Sequence, residues 1–294
     1  RQCGSAIKPI SVYAPALDKG VITPASVIDD APVRALGGKA WPVNSHSYFD
    51  GLVSVDEAIA ESLNTCAVRV VEELGVKESY NYMTDKLGFT TLVSDTDNPK
   101  QNDINSASMG LGGLTRGVST VEMAAAYAAF VNQGVYNEPR TYSKVTDQDG
   151  KTVIDNTGDS WVAMKETTAY FMNKYLRQVV TSGTGGSAGF SGMTVAGKTG
   201  TTTDNYDRYF VGYTPYYVAA VWTGYEVNVK INASGNPSAK LFRQVMSKIH
   251  ANLPNKSFFS VDSGLTSVKV CMDCGNLASD LCAQDIRGSR VKTV

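Results

Sequence analysis

The chain reads as α+β, on three observations: helical patterns fill its first part, short β-rich runs follow from about Met193, and one more amphipathic helix comes after them. Helices first and strands afterwards, without βαβ alternation, point to an antiparallel meander covered by helices.

In chain order, Ser5 and Lys8 are spaced for one turn of a helix that opens close to Ser5. Ser54-Val55-Asp56-Glu57 has the form of a capping box, in which Ser and Glu satisfy each other's free backbone N–H groups at a helix start. The same pattern recurs at Ser119-Thr120-Val121-Glu122, before a helix with Met123, Tyr127, Phe130 and Val131 on one face and Gly134 as its stop. A third helical pattern runs from about Lys165 to Val180, with Tyr170, Met172, Tyr175, Leu176 and Val179 as core positions. The strands are read at Met193 to Thr201, Tyr209 to Tyr213 and Tyr217 to Tyr225, separated by Asp-Asn and Thr-Pro turn signals. The final helix, Ser238 to His250, is expected to cover one sheet face with Leu241, Val245 and Ile249. From Pro254 the pattern is weak and reads as a small appended segment.

The 294 residues suffice for one large domain, alone or with a small appendage. With 43% hydrophobic and 19% charged residues and a net charge of −1, nothing draws in nucleic acid or an anionic surface. No apolar run approaches the roughly 18 residues of a membrane span. The opening, Arg1-Gln2-Cys3-Gly4-Ser5, suggests the downstream part of a longer polypeptide. Of five cysteines, Cys271, Cys274 and Cys282 crowd the C-terminal end. Neither His46 nor His250 is spaced to complete a zinc site with them, which leaves a disulfide, Cys271 to Cys282 being preferred, or free thiols.

Two motif matches fail on context. Gly192-Met193-Thr194-Val195-Ala196-Gly197-Lys198-Thr199 fits a nucleotide-binding P-loop, but that loop must run directly into a helix. Here Thr201, Thr202, Thr203, Asp204 and Asn205 follow, a β-branched, turn-forming stretch. Gly185 to Gly189 matches a nucleophile elbow, and Gly183-Thr184-Gly185 with Ala188 a dinucleotide fingerprint. Both need a strand before and a helix after, whereas this segment follows a helix and reads as a Gly-rich loop.

Three other segments converge: Ser5-Ala6-Ile7-Lys8, Ser62-Leu63-Asn64 and Lys198-Thr199-Gly200. A serine hydroxyl needs a base within reach, and Lys8 lies on the same helical face. Burial beside a second cation, Lys198, depresses the pKa of Lys8 and so favours its unprotonated form. The Ser5 amide at a helix N-terminus points at developing negative charge. Ser62 and Asn64, two apart, face one site only if the helix begun near Ser54 ends near Ala60 and another runs from about Thr65 to Leu74; otherwise one is a surface residue. Lys198, Thr199 and Thr201 on an edge strand, with Gly200 allowing close approach, suit an extended peptide ending in a carboxylate.

Together these motifs resemble those of penicillin-binding proteins and class A β-lactamases. Longer stretches are similar to class A penicillin-binding proteins: Gly4 to Pro9, Thr23 to Asp30, Gly112-Gly113-Leu114-Thr115 into Glu122-Met123-Ala124, Gly183-Thr184-Gly185, Ala196 to Thr202, Phe210 to Pro215, and Val221-Trp222. The resemblance implies a β-lactamase/transpeptidase-like α+β fold, an antiparallel sheet with helices on both faces. It implies a D,D-transpeptidase that cross-links peptidoglycan stem peptides through an acylated Ser5 and is trapped by β-lactam antibiotics. By resemblance Lys8 is the general base, Ser62 relays protons between Lys198 and Ser5, Asn64 contacts the substrate amide, Thr199 and Thr201 bind carboxylate, and the Ser5 and Thr201 amides form the oxyanion hole. No cofactor or metal is implied.

The transpeptidase domain is expected to span residues 1–253, incomplete at its N-terminus, with 254–294 a small C-terminal segment. The parent is expected at the extracytoplasmic face of the bacterial cell membrane, held by a missing N-terminal anchor. Because the family places strands before the serine, the sheet is expected to lack its first strands and keep three, leaving Tyr217 to Tyr225 an unpaired, aggregation-prone edge. Family members commonly carry Pro at the position of Cys3, so the turn into the serine helix is expected to be looser. A D,D-carboxypeptidase, a serine β-lactamase-like hydrolase, a penicillin sensor and a P-loop nucleotide binder are the alternatives.

Overall fold

The chain opens on a continuous helical run that changes pitch twice. In the computed structural model, which describes residues 1–46, 48–95, 98 and 101–294, Gly4–Ile7 is a tight 3-10 turn, Pro9–Tyr13 a wide π turn, and Ala14–Asp18 the α-helix α1. Pro9 lacks the N–H that would close a regular helical bond, which accounts for the change of pitch there. The run is central: Ala6, Ile7, Lys8, Ile10, Ser11, Val12 and Tyr13 are all fully buried. Ser11 is satisfied there, its hydroxyl donating to the carbonyls of Ile7 and Met109 at 3.0 and 2.6 Å. The turn into the helix is not loose, as Cys3 had suggested, because Cys3 is fully buried with its carbonyl accepting the Ala6 N–H.

Strand β1 (Val27–Asp30) pairs antiparallel with β4 (Gly51–Ser54) around the small hairpin of β2 (Arg34–Leu36) and β3 (Lys39–Trp41). Helix α2 (Val55–Ala60) stops at a break in which Ser62 has φ +62°, and α3 (Asn64–Leu74) starts afresh, the interruption that the Ser62 and Asn64 spacing demanded. The capping box expected at Ser54 does not form. Ser54 makes no cap bond; its hydroxyl lies 3.4 Å from the Lys292 Nζ that also holds Asp56 at 2.7 Å. Helices α4 (Val76–Asn81) and α5 (Ser106–Leu111) pack around the opening run and α3.

Helix α6 (Thr120–Val131) begins with the expected capping box of Ser119 and Glu122, and Met123, Tyr127 and Phe130 are fully buried. Burial alone would raise the Glu122 pKa, but the amides and hydroxyls of Ser119, Thr90 and Thr91 outweigh it and hold the carboxylate below its usual range. Two exposed pairs follow, β5 (Val135–Asn137) with β8 (Ser160–Val162) and β6 (Lys144–Thr146) with β7 (Thr152–Asp155). Strands therefore precede the region where the sequence pattern placed them. Helix α7 (Glu166–Thr181) buries Met172, Tyr175, Leu176 and Val179, with Tyr170 only half-buried.

Strands β9 (Ala196–Thr201), β10 (Asp207–Tyr213) and β11 (Val218–Gly224) form the predicted antiparallel meander, in spatial order β11, β10, β9. Tyr209, Val211 and Tyr213 face the main core under α6, while Phe210 faces the other side. There α8 (Pro237–Ile249) lays Phe242 against Phe210, ring centroids 4.9 Å apart. Helices thus cover both faces, but α8 is turned from the expected orientation. Leu241, Val245 and Ile249 are 46–49% exposed, whereas Ser238, Ala239, Phe242 and Met246 pack inward. Phe242 and Met246 fill more of the space over the sheet than the shorter side chains could.

Beyond α8 the chain forms β12 (Lys269–Cys271), α9 (Asp280–Ala283) and β13 (Val291–Thr293), with β12 and β13 paired. The preferred Cys271 to Cys282 disulfide is absent and all five cysteines are free. The Cys271 sulfur accepts the Asp273 N–H, while the Cys282 sulfur lies 3.4 Å from the Ser279 hydroxyl.

Candidate active site

Backbone meets backbone where the opening turn touches β9. Gly4 holds φ +53°, and a Cβ there would come within 2.4 Å of the Thr201 carbonyl oxygen. A Cβ on Gly200 would lie 2.0 Å from the Cys3 carbonyl oxygen, so both glycines are required for the turn and strand to touch. This close approach sets Ser5 beside Thr201. Ser5, Ser62, Asn64, Thr199 and Thr201 line one cavity of about 510 Å³. Gly200 backs it from within β9. Two clefts of similar volume lie against Arg177 and share none of these residues.

Both lysines of the constellation are fully buried. Lys198 Nζ donates to Ser62 Oγ at 2.7 Å and to its neighbour's carbonyl, Thr199 O, at 3.2 Å. Lys8 Nζ donates to Ser62 O and Asn64 Oδ1, both at 2.7 Å, and to Leu63 O at 3.3 Å, with Ser62 Oγ at 3.5 Å. The Ser62 hydroxyl therefore stands between two amines. Burial lowers the Lys8 pKa well below that of a free lysine, and the charge of Lys198 lowers it further. Burial brings Lys198 down to about 7, with Glu61 opposing. Each amine is thus brought towards the neutral form that accepts a proton.

One expectation is corrected. Ser5 and Lys8 share a helical face, yet the Ser5 hydroxyl makes no hydrogen bond to any described residue, and Lys8 turns to the break at 62–64. Three oxygens converging there hold an amine better than one hydroxyl does.

A family profile for the penicillin binding protein transpeptidase domain matches residues 1–247. Penicillin-binding protein 1A of Clostridium perfringens is 35% identical over 308 aligned residues, covering 99% of this chain and 35% of that protein. The Clostridium acetobutylicum protein of the same name is 35% identical over 277 residues, covering 91% of this chain and 33% of its own length. The chain belongs to the penicillin-binding protein transpeptidase family. It spans about a third of the length of these relatives. The fold agrees: penicillin-binding protein 1A from Haemophilus influenzae superposes with a TM-score of 0.77 at 22% identity, over 100% of this chain and 47% of that one. A Mycobacterium tuberculosis protein in complex with penicillin V gives 0.72 at 24%, over 88% of this chain and 71% of that one.

Within this transpeptidase-family chain the two discarded motifs fall where their context required. Lys198 and Thr199 lie inside β9, and no helix follows them. Gly186–Ala188 is a short 3-10 turn after α7. Three other residues bear on the transpeptidase cavity. Thr184 Oγ1 lies 3.0 Å from Thr199 Oγ1, and Arg208 Nη1 donates to Thr201 Oγ1 at 3.0 Å. Arg208 reaches Thr201 because β10 pairs it with that residue, a register that motif spacing alone does not reveal. Asn44, on the opposite wall, carried no motif.

Proposed function

We propose that the chain is a serine D,D-transpeptidase that cross-links peptidoglycan stem peptides and is acylated by β-lactams at Ser5. The observation that carries this reading is the Ser62 hydroxyl set between two buried lysines, in the cavity that also holds Ser5. Neutral Lys8 takes the proton as Ser5 Oγ attacks the carbonyl carbon of the penultimate D-Ala. The Ser5 and Thr201 amides hold the resulting oxyanion. The C–N bond to the last D-Ala then breaks, and its amine receives a proton through Ser62 from Lys198. The amine of a neighbouring stem attacks the ester in turn, returns its proton to the lysines, and frees Ser5. Lys198, Thr199 and Thr201, with Arg208 beside them, bind the terminal carboxylate, and Gly200 lets the peptide backbone lie along β9. Asn64 holds Lys8 and contacts the substrate amide at the cavity mouth.

Residues 1–253 form the transpeptidase unit in this reading, and 254–294 a small C-terminal segment. The protein works at the extracytoplasmic face of a bacterial membrane, on stem peptides, with β-lactams as inhibitors. No helix among the described residues is long and apolar enough to cross a membrane, so the chain contributes no helical anchor of its own there.

Labelling with a fluorescent penicillin tests the reading. The wild-type chain is expected to carry a slowly released covalent label, and Ser5→Ala none. Label retained in Ser5→Ala defeats the nucleophile assignment, and release within seconds points instead to a β-lactamase-like hydrolase.

A further inference from the structure

Asp30 at the end of β1 is wholly buried and forms no ion pair with a described residue. Its carboxylate is satisfied by neutral donors: Asn44 Nδ2 at 2.7 Å and the Thr65 hydroxyl on Oδ1, and the Asp50 N–H at 2.7 Å on Oδ2. A carboxylate only accepts, so the Asn44 amide can lie only one way round, NH2 towards Asp30. Its oxygen must then point the other way, and it accepts the Asn64 backbone N–H at 2.7 Å. That N–H belongs to the first residue of α3 and has no partner within the helix.

The neighbouring Val43 carbonyl imposes the same logic on the Asn64 side chain. It accepts Asn64 Nδ2 at 2.7 Å, which leaves Asn64 Oδ1 facing Lys8 Nζ, also at 2.7 Å. Val43 and Asn44 thus grip Asn64 by backbone and side chain together, and the polarity of every link is forced from the buried carboxylate outward. We propose that Asn44, oriented by Asp30, is a positioning residue that aims the Asn64 carbonyl oxygen at Lys8. This deepens the transpeptidase reading and rests on it.

The groups facing Lys8 are Lys198 from β9, Cys66 from α3, the Ser62 and Leu63 carbonyls and the Asn64 oxygen. Losing the last withdraws an acceptor that favours the charged amine, so a released Asn64 moves the Lys8 titration to lower pH. General loosening that admits water moves it the other way.

The test is the second-order rate of Ser5 acylation by a fluorescent penicillin, measured on the full chain from about pH 5 to about pH 10. Asn44→Ala is expected to acylate about 10–100-fold more slowly at temperatures where it stays folded, with the acid limb shifted to lower pH. Met246→Ala, a core change under α8 far from the site, serves as a stability control and is expected to keep the wild-type rate and profile. Asn44→Ser, polar but too short to span from Asp30 to Asn64, replaces Asn44→Ala if that variant does not fold. Wild-type rate and profile in the folded Asn44 variant overturn the positioning role, as does an equal slowing in Met246→Ala. A wild-type chain that takes no label at Ser5 overturns this role together with the transpeptidase reading, which separates the two failures.

Discussion

Lys198 holds the most exposed chemical prediction in the site although no part of it touches solvent. Burial sets its pKa at about 7, and as a cation it anchors the substrate or drug carboxylate in the proposed mechanism. The second-order acylation rate reports the free protein's ionisations, so it is expected to fall as pH rises through about 7 and Lys198 loses its charge. Lys198→Met is expected to remove that limb and lower the whole profile on the order of 100-fold. A wild-type rate that stays flat across neutral pH counts against the assignment. The stability sign is separate: between about 7 and the ordinary 10.5, the unfolded chain binds the proton that the folded chain has released. This group therefore makes the fold more stable as pH rises through that window, and least stable below it. The lysines, Ser5 and Ser62 were legible because their chemistry dictates their types and spacings. The partners of Lys8 were not, since they depend on how residues 43–44 fold back across a gap of 20 residues onto Asn64.

Helix α8 shows what periodicity determines and what it leaves open. Two stripes run along it, Leu241, Val245 and Ile249 on one side and Ser238, Phe242 and Met246 on another, and a 3.6-residue period fits both. The choice depends on the shape of the sheet surface, where Gly212 leaves room for the Phe242 ring; a Cβ there would sit 3.0 Å from it. Phe242→Ala is expected to cost about 3–5 kcal/mol, while Val245→Lys is expected to change stability by less than about 0.5 kcal/mol. Chemical denaturation of the two variants decides it, and the reverse order would put the helix in the orientation its sequence first suggested. The break between α2 and α3 was legible for the opposite reason, because two polar groups two residues apart cannot face one site on a continuous helix. Strands β6 and β7 left no such trace; almost every residue in them is exposed, so no apolar alternation marks them.

At the scale of the whole molecule, the sheet is covered on both faces and open at one side. β10 pairs with β9 and β11, and β11 has no further neighbour among the described residues. All seven β11 residues are partly exposed, and Tyr217, Tyr225, Val227 and Val229 around them are 46–70% exposed. An open row of N–H and C=O groups flanked by apolar side chains is a template for another strand. A net charge of −1 supplies little repulsion against it. The chain as it stands is therefore expected to self-associate through β11, with the weight-average mass in sedimentation rising over roughly a tenfold range of concentration. Val227→Lys with Val229→Lys is expected to shift it towards monomer without altering Ser5 acylation, because charges beside the edge must be desolvated when two edges pair, whereas the catalytic cavity shares neither residue. A wild-type chain that sediments as one monomeric species throughout that range sinks the prediction, and association unchanged in the double variant moves the contact elsewhere.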